Sequence, residues 1–192
     1  MPTQNLYPNA AGDLTQFPTV EPSSANHFEA VDETSADDDT SYIESGTDEL
    51  TNDYHIVIKE NSTITEVQKG NSTSYVTYTH EFTTKPSDSS AFTVTDINNL
   101  QIGVNFTGPD NPTDQTDLFN IQDWPHNSGD TINSITVSAR YKDSQAAASL
   151  NKMRCTQVFV TVDYTAFAET TGPFKIKAGA KVKIESGKLT IK

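Results

Sequence analysis

Cysteine is almost missing from this chain of 192 residues. Cys155 stands alone, so no intrachain disulfide can form and no zinc site can be built from thiolates. Its setting, "RCTQVFVTVDY", marks a small buried residue in a strand. Positive charge is scarce as well: 13 Lys and Arg against 26 Asp and Glu leave a net charge of -13. That balance excludes the basic surface that nucleic acid or an anionic membrane would require. No run of apolar residues is long enough to cross a bilayer, and the first residues lack both a basic n-region and an apolar h-region. The expectation is a chain made soluble in a cytoplasm. Asn61, Asn71 and Asn105 stand in N-x-[ST] sequons, expected as chance matches in a chain rich in Ser and Thr.

Signatures of catalysis are missing too. There is no G-x-S-x-G, no H-E-x-x-H and no Gly-rich phosphate loop, and His27, His55, His80 and His126 are scattered. Glycosidase chemistry needs two carboxylates about 5 to 9 Å apart across a cleft. No pair of acids here is distinguished by pattern from the others. Neither enzymatic activity nor a cofactor is expected.

What the chain does contain is β-structure. Aromatic and β-branched residues recur from Tyr54 to Tyr164 with Thr, Ser and Asn between them. The pattern predicts strands over 39–45, 54–59, 63–68, 75–82, 100–106, 132–141 and 155–164. Two of these alternate clearly: Ile135, Val137, Ala139 and Tyr141 share one face, and so do Val158, Val160, Val162 and Tyr164. No helix-period segment is available for parallel crossovers, so the expected fold is an all-β, antiparallel β-sandwich, jelly-roll-like, over residues 26–168. Only "TDINNL", capped by Thr95 or Asp96, and "DSQAAASLN" look able to form a helical turn.

The two ends differ from this body. Residues 1–25 contain Pro2, Pro8, Pro18 and Pro22 without hydrophobic periodicity, and are expected as an extended arm lacking regular structure. Residues 169–192 form a lysine-rich segment in which Phe174, Ile176, Val182 and Ile184 alternate with lysines, and Leu189 and Ile191 resume after Ser186-Gly187. Three short strands with turns at Ala178-Gly179 and Ser186-Gly187 are expected. So narrow a ribbon is marginal alone, so those six apolar residues are candidate assembly contacts. The charge is also divided: residues 172–192 hold six lysines and one acid, leaving seven basic and twenty-five acidic groups in residues 1–171.

Two local features are candidate binding sites. "VDETSADDDTSYI" packs Asp32, Glu33, Asp37, Asp38 and Asp39 into a short stretch before a strand. The preferred reading is a turn whose Asp side chains bond nearby backbone N–H groups. The alternative is a structural cation held by Asp37 and Asp39, which would share a face of an extended segment. Trp124, in "QDWPHNSG" beside Asp123, His126 and Asn127, is a possible glycan contact, against the plainer reading of a tryptophan tucked over the edge of the core.

The segment "NHFEAVDETSADDDTSYI", Asn26 to Ile43, resembles the recurring N-H-[YF]-x-x-V-D-E…D-D-D-T-x-Y-[IV] signature of a family of small all-β structural proteins of tailed phages, prophages and environmental viruses. "FTVTDINNLQIGV" (Phe92 to Val104), "INSITVSARYK" (Ile132 to Lys142) and "RCTQVFVTVDY" (Arg154 to Tyr164) are similar to further segments of that family. Phe92 stands where the family usually has Trp, and "INSITVSARYK" comes later in the chain than in the family. The resemblance implies a virion structural protein with a sandwich fold and no catalytic residues. The expectation is a capsid decoration or stabilising protein located in the virion, forming a homo-oligomer and contacting the major capsid protein or other virion proteins. A tail or fibre component, or a module binding host surface glycan, is the alternative.

Overall fold

A computed structural model of the chain describes residues 1–46, 48–49, 53–107, 115–144, 150–168, 182–185 and 188–191. The N-terminal segment forms β1 (Thr3–Leu6), β2 (Pro8–Thr15) and β3 (Thr19–Glu21), followed by a 3-10 turn at His27–Ala30. Next come β4 (Tyr42–Glu44), β5 (Asp48–Glu49), β6 (Asp53–Glu60), β7 (Thr63–Lys69), β8 (Val76–Phe82) and the short helix α1 (Val94–Asn98). The second half supplies β9 (Gln101–Thr107), β10 (Gln115–Ile121), β11 (Thr131–Asp143), β12 (Leu150–Asn151) and β13 (Met153–Thr165). Near the C-terminus are β14 (Val182–Glu185) and β15 (Lys188–Ile191).

Two antiparallel sheets make the sandwich. One has the order β3-β4-β13-β11-β8, with β1 also paired to β13, and the other has the order β2-β10-β9-β6-β7. The apolar residues of β6, β9, β11 and β13 meet between the sheets. Ile56, Ile58, Val104, Phe106, Ile135, Val137, Val158 and Val160 are wholly or almost wholly buried there. Tyr54, Tyr141 and Tyr78 stack in series at one end, with centroids 5.6 and 4.6 Å apart.

Irregular register explains why both Cys155 and Val158 face the core although they differ in parity. β13 has one extra residue between Gln157, opposite Arg140, and Cys155, opposite Tyr141. Such a bulge resets which residues point inward. The second face of this hairpin is less wet than alternation suggests: Ser138 is 2% exposed, opposite Phe159, on which Tyr7 packs at 5.7 Å.

The N-terminal segment corrects the expectation of an irregular arm over residues 1–25. β1 pairs with β13, β2 crosses to the other sheet and pairs with β10, and β3 returns to pair with β4. The segment thus straps both sheets of its own chain. Its polar sequence hid this because main-chain bonds to open strand edges hold it; only Leu6, Pro8 and Phe17 are buried. β10, unmarked in the sequence pattern, sits between β2 and β9. Glycine permits this close layering: a Cβ at Gly103 would collide with the backbone oxygen of Asp117 on β10.

The helical turn at "TDINNL" starts at least two residues earlier than expected. Thr93, not Thr95 or Asp96, is the N-cap: its Oγ1 accepts from Asp96 N at 3.2 Å and its N–H donates to Asp96 Oδ2 at 2.8 Å. Of "DSQAAASLN", residues 145–149 lie outside the described residues, while Asp143 ends β11 and Leu150-Asn151 form β12. β14 and β15 pair antiparallel with Val182 opposite Ile191 and Ile184 opposite Leu189. Phe174, Ile176 and the turn at Ala178-Gly179 lie outside the described residues.

Candidate functional site

The acidic stretch folds as a turn whose three aspartates point to different partners. Asp38 adopts a positive φ of 56°, a conformation that Asp tolerates better than most side chains, and this reverses the chain between its neighbours. Asp37 Oδ1 accepts from Ser41 N at 3.2 Å and from Ser41 Oγ at 2.9 Å, which closes the turn ahead of β4. Asp38 takes Arg140 in a bidentate grip, from Nε at 2.7 Å and Nη2 at 2.9 Å. Asp39 Oδ1 accepts from Lys142 Nζ at 2.7 Å, Arg154 Nη1 at 2.8 Å and Tyr75 Oη at 3.1 Å.

These contacts bind the turn to β11 and β13. Lys142, then Arg154 and Tyr75, pull the Asp39 carboxyl down to about 2. Glu44 lies beside it, accepting from Lys152 Nζ at 2.9 Å and Arg154 Nε at 2.9 Å. Burial alone would raise the Glu44 carboxyl, but the two cations outweigh it and hold it below its ordinary value. Arg154 also lies over the Tyr42 ring at 4.0 Å, and Lys142 over the Tyr75 ring at 4.4 Å.

The geometry bears on the cation reading of Asp37 and Asp39. The extended segment that would set them on one face is broken at Asp38, and the oxygens of Asp39 are taken by ammonium and guanidinium groups. Among the described residues no group of three or more His, Cys, Asp or Glu side chains is arranged to hold a metal ion. A hard cation wants six or more oxygens, and here it would have to displace two bound cations to reach Asp39. The arrangement serves as an electrostatic latch.

Trp124 sits at the opposite end of the sandwich and is 7% exposed. Its Nε1 donates to Asp130 Oδ2 at 3.1 Å, and its ring meets those of His126 and Tyr164 at 5.2 and 4.9 Å, nearly perpendicular to each. Asp130 also accepts from Phe167 N at 2.7 Å, which anchors the chain after β13. A sugar stacks on an open ring face. Trp124 is almost covered, and of the two readings of it this placement fits the plainer one, a ring that closes the edge of the core.

The histidines are dispersed here as well. His27 is the one held by a buried group: its Nδ1 sits 2.5 Å from Oδ2 of Asp117, a residue with no exposed surface. Asp117 Oδ1 accepts from Gln16 N at 2.6 Å and Phe17 N at 2.9 Å, so one carboxylate of β10 ties down the N-terminal strap and the 3-10 turn together. Cys155 is fully buried, which pushes its thiol up to about 12 and leaves it inert.

Charge is the remaining surface property. Of the seven basic residues in the body, Lys59, Lys85, Arg140, Lys142, Lys152 and Arg154 are all in ion pairs, and Lys69 alone has no carboxylate partner among the described residues. Exposed acids such as Glu21, Glu81 and Asp123 therefore have no cation partner among the described residues. The latch partners Arg140, Lys142 and Arg154 were the residues that pattern reading missed. Their signal was present in the i, i+2 spacing of basic side chains at 140/142, which puts that pair on one face of β11, and at 152/154, where both side chains reach Glu44 at the start of β13.

Comparison with protein-family models, with curated proteins and with solved structures found no match in any of the three.

Proposed function

We propose that this protein is a structural component of a virus particle, a capsid decoration or stabilising protein, which works by protein–protein contact and performs no chemistry. The observation that carries this reading is the division of charge between an acidic body and a lysine-rich, amphipathic tail. Residues 1–171 hold seven basic against twenty-five acidic groups, and residues 172–192 hold six against one. The body uses its own cations internally, as the ion pairs of Lys59, Lys85, Arg140, Lys142, Lys152 and Arg154 demonstrate, so the acid excess is left at the surface. A tail of opposite sign is drawn to such a surface, and its apolar residues hold the contact once made.

The resemblance of Asn26 to Ile43 to the phage and viral signature supports the virion assignment, and the latch gives that segment a physical purpose. Its aspartates clamp a turn to the two longest strands, which suits a module that must survive on an exposed particle. Partners on this reading are other copies and the major capsid protein. The N-terminal strap is engaged within its own sandwich, so the tail is the contact on this reading.

Deleting residues 172–192 tests the proposal. Among the described residues the core of the sandwich runs from Leu6 to Tyr164, so the truncated protein should keep its thermal transition and lose self-association or binding to particles that lack it. Raised salt should slow assembly more than it loosens the finished contact, because steering is screened and apolar burial is not. A truncated protein that assembles as the full chain does refutes the reading.

A further inference from the structure

The two flanks of the sandwich are unlike. On one flank the strap and the 3-10 turn run along β4, β13 and β10; on the other, β7 and β8 end their sheets with no further neighbour among the described residues. β8 has the more apolar inward face of the two, since β7 sets Thr63, Thr65, Val67 and Lys69 on that side. Val76, Tyr78, His80 and Phe82 lie opposite Tyr141, Ala139, Val137 and Ile135, all core residues, so they occupy the inward face of β8. Yet Val76 is 37% exposed, and Tyr78 and His80 are only half-buried. Inward residues stay partly wet when the strand that should lie beside them is lacking.

We propose that the free edge of β8 accepts the β14–β15 hairpin of a second copy as added strands of its sheet, an inference that rests on the reading of the tail as the assembly contact. The two elements match in pattern. By backbone register Val182, Ile184, Leu189 and Ile191 fall on one face of the hairpin, and Lys183, Glu185, Lys188 and Thr190 on the other. Added to β8, the first face continues the apolar interior past Val76 and Tyr78. The second continues the outer face formed by Thr77, Thr79 and Glu81, all exposed, and brings lysines beside an acid that has no cation partner among the described residues.

Three further considerations favour this placement. β8 is seven residues long and has no proline, so its main-chain groups are free to pair along its length. β7, the competing edge, carries Lys69, which has no carboxylate partner among the described residues and repels a lysine-rich strand. Each copy has both an edge and a hairpin, so mutual exchange closes a two-fold pair and satisfies a two-stranded element that is marginal alone.

The test uses full-length single variants, Thr79→Cys in one copy and Thr190→Cys in another, mixed and treated with a short thiol cross-linker; Cys155 is buried and stays silent. A dimer that joins position 79 of one chain to position 190 of the other is the expected product. Glu81→Lys, with the thermal transition unchanged, should weaken self-association about tenfold or more, and adding Lys188→Glu should restore part of it. Cross-linking within a single chain of the double-cysteine variant at high dilution would overturn the proposal in favour of packing on the chain's own body. If tail deletion abolishes association while Glu81→Lys and the cross-linker have no effect, the tail reading stands and the β8 edge is refuted. A full-length chain that stays monomeric at high concentration refutes both.

Discussion

Replacing Asp117 by alanine is the sharpest test of how the N-terminal segment is held. The side chain has no exposed surface and accepts from Gln16 N at 2.6 Å, Phe17 N at 2.9 Å and the His27 ring at 2.5 Å. Alanine removes all three acceptor contacts at once and leaves Phe17 N–H without a partner in a buried place. Each buried group stranded in this way costs about 1 to 3 kcal/mol. Because the contacts share one carboxylate they do not add, so the expected loss is about 2 to 4 kcal/mol. In a domain of this size that lowers the melting temperature by roughly 10 °C. Asp117→Asn keeps one oxygen for the two N–H groups and should lose less. Urea titration of the three proteins, read at constant m, measures the series, and limited proteolysis within residues 1–26 should quicken in the alanine variant. Destabilisation of Asp117→Ala by less than about 1 kcal/mol would mean that the strap is held by its strand pairing alone.

Trp124→Ala should destabilise the sandwich by about 3 to 5 kcal/mol, the cost of emptying a large aromatic site, and differential scanning calorimetry would register it. Trp124→Phe should recover most of the packing but not the hydrogen bond to Asp130. The latch should show in acid titration. Asp39 is held near 2, below its ordinary 3.8, so its contribution is present above pH about 4 and is lost as pH falls toward 2. The stability gap between the protein and Asp39→Asn should therefore close over that window, and solvent screening at this exposed site keeps the gap under about 1 kcal/mol at neutral pH. Asp143 and Glu33, raised chiefly by burial, act in the opposite sense, gaining as pH falls, so the difference between the two proteins, and not the wild-type curve alone, isolates the latch.

Alternation in the sequence was enough to find the strands that form the interior. Ile135, Val137 and Ala139, like Val158, Val160 and Val162, declare their face because burial on one side and water on the other leave a period of two in the residues themselves. Composition likewise revealed the sign of the body and of the tail, since charge is a property of residues and not of their arrangement. The strap over Thr3–Glu21 was illegible for the opposite reason: main-chain bonds hold its β1 and β2 to strands more than a hundred residues away and its β3 to β4, and main-chain bonds leave no mark on side-chain choice. Cys155 and Val158 share the interior only because of a bulge in β13, which no periodicity announces. The acidic turn was visible as a cluster, but Asp37, Asp38 and Asp39 acquired separate partners only when the fold brought β11 and β13 beside them. Trp124 was ambiguous in sequence because a loop tryptophan serves equally as a platform or a plug; the tertiary contacts with Asp130, His126 and Tyr164 decided for the plug. Local pattern thus determined which residues seek the interior, and long-range contact decided which edges were closed, because closing an edge depends on where distant segments meet.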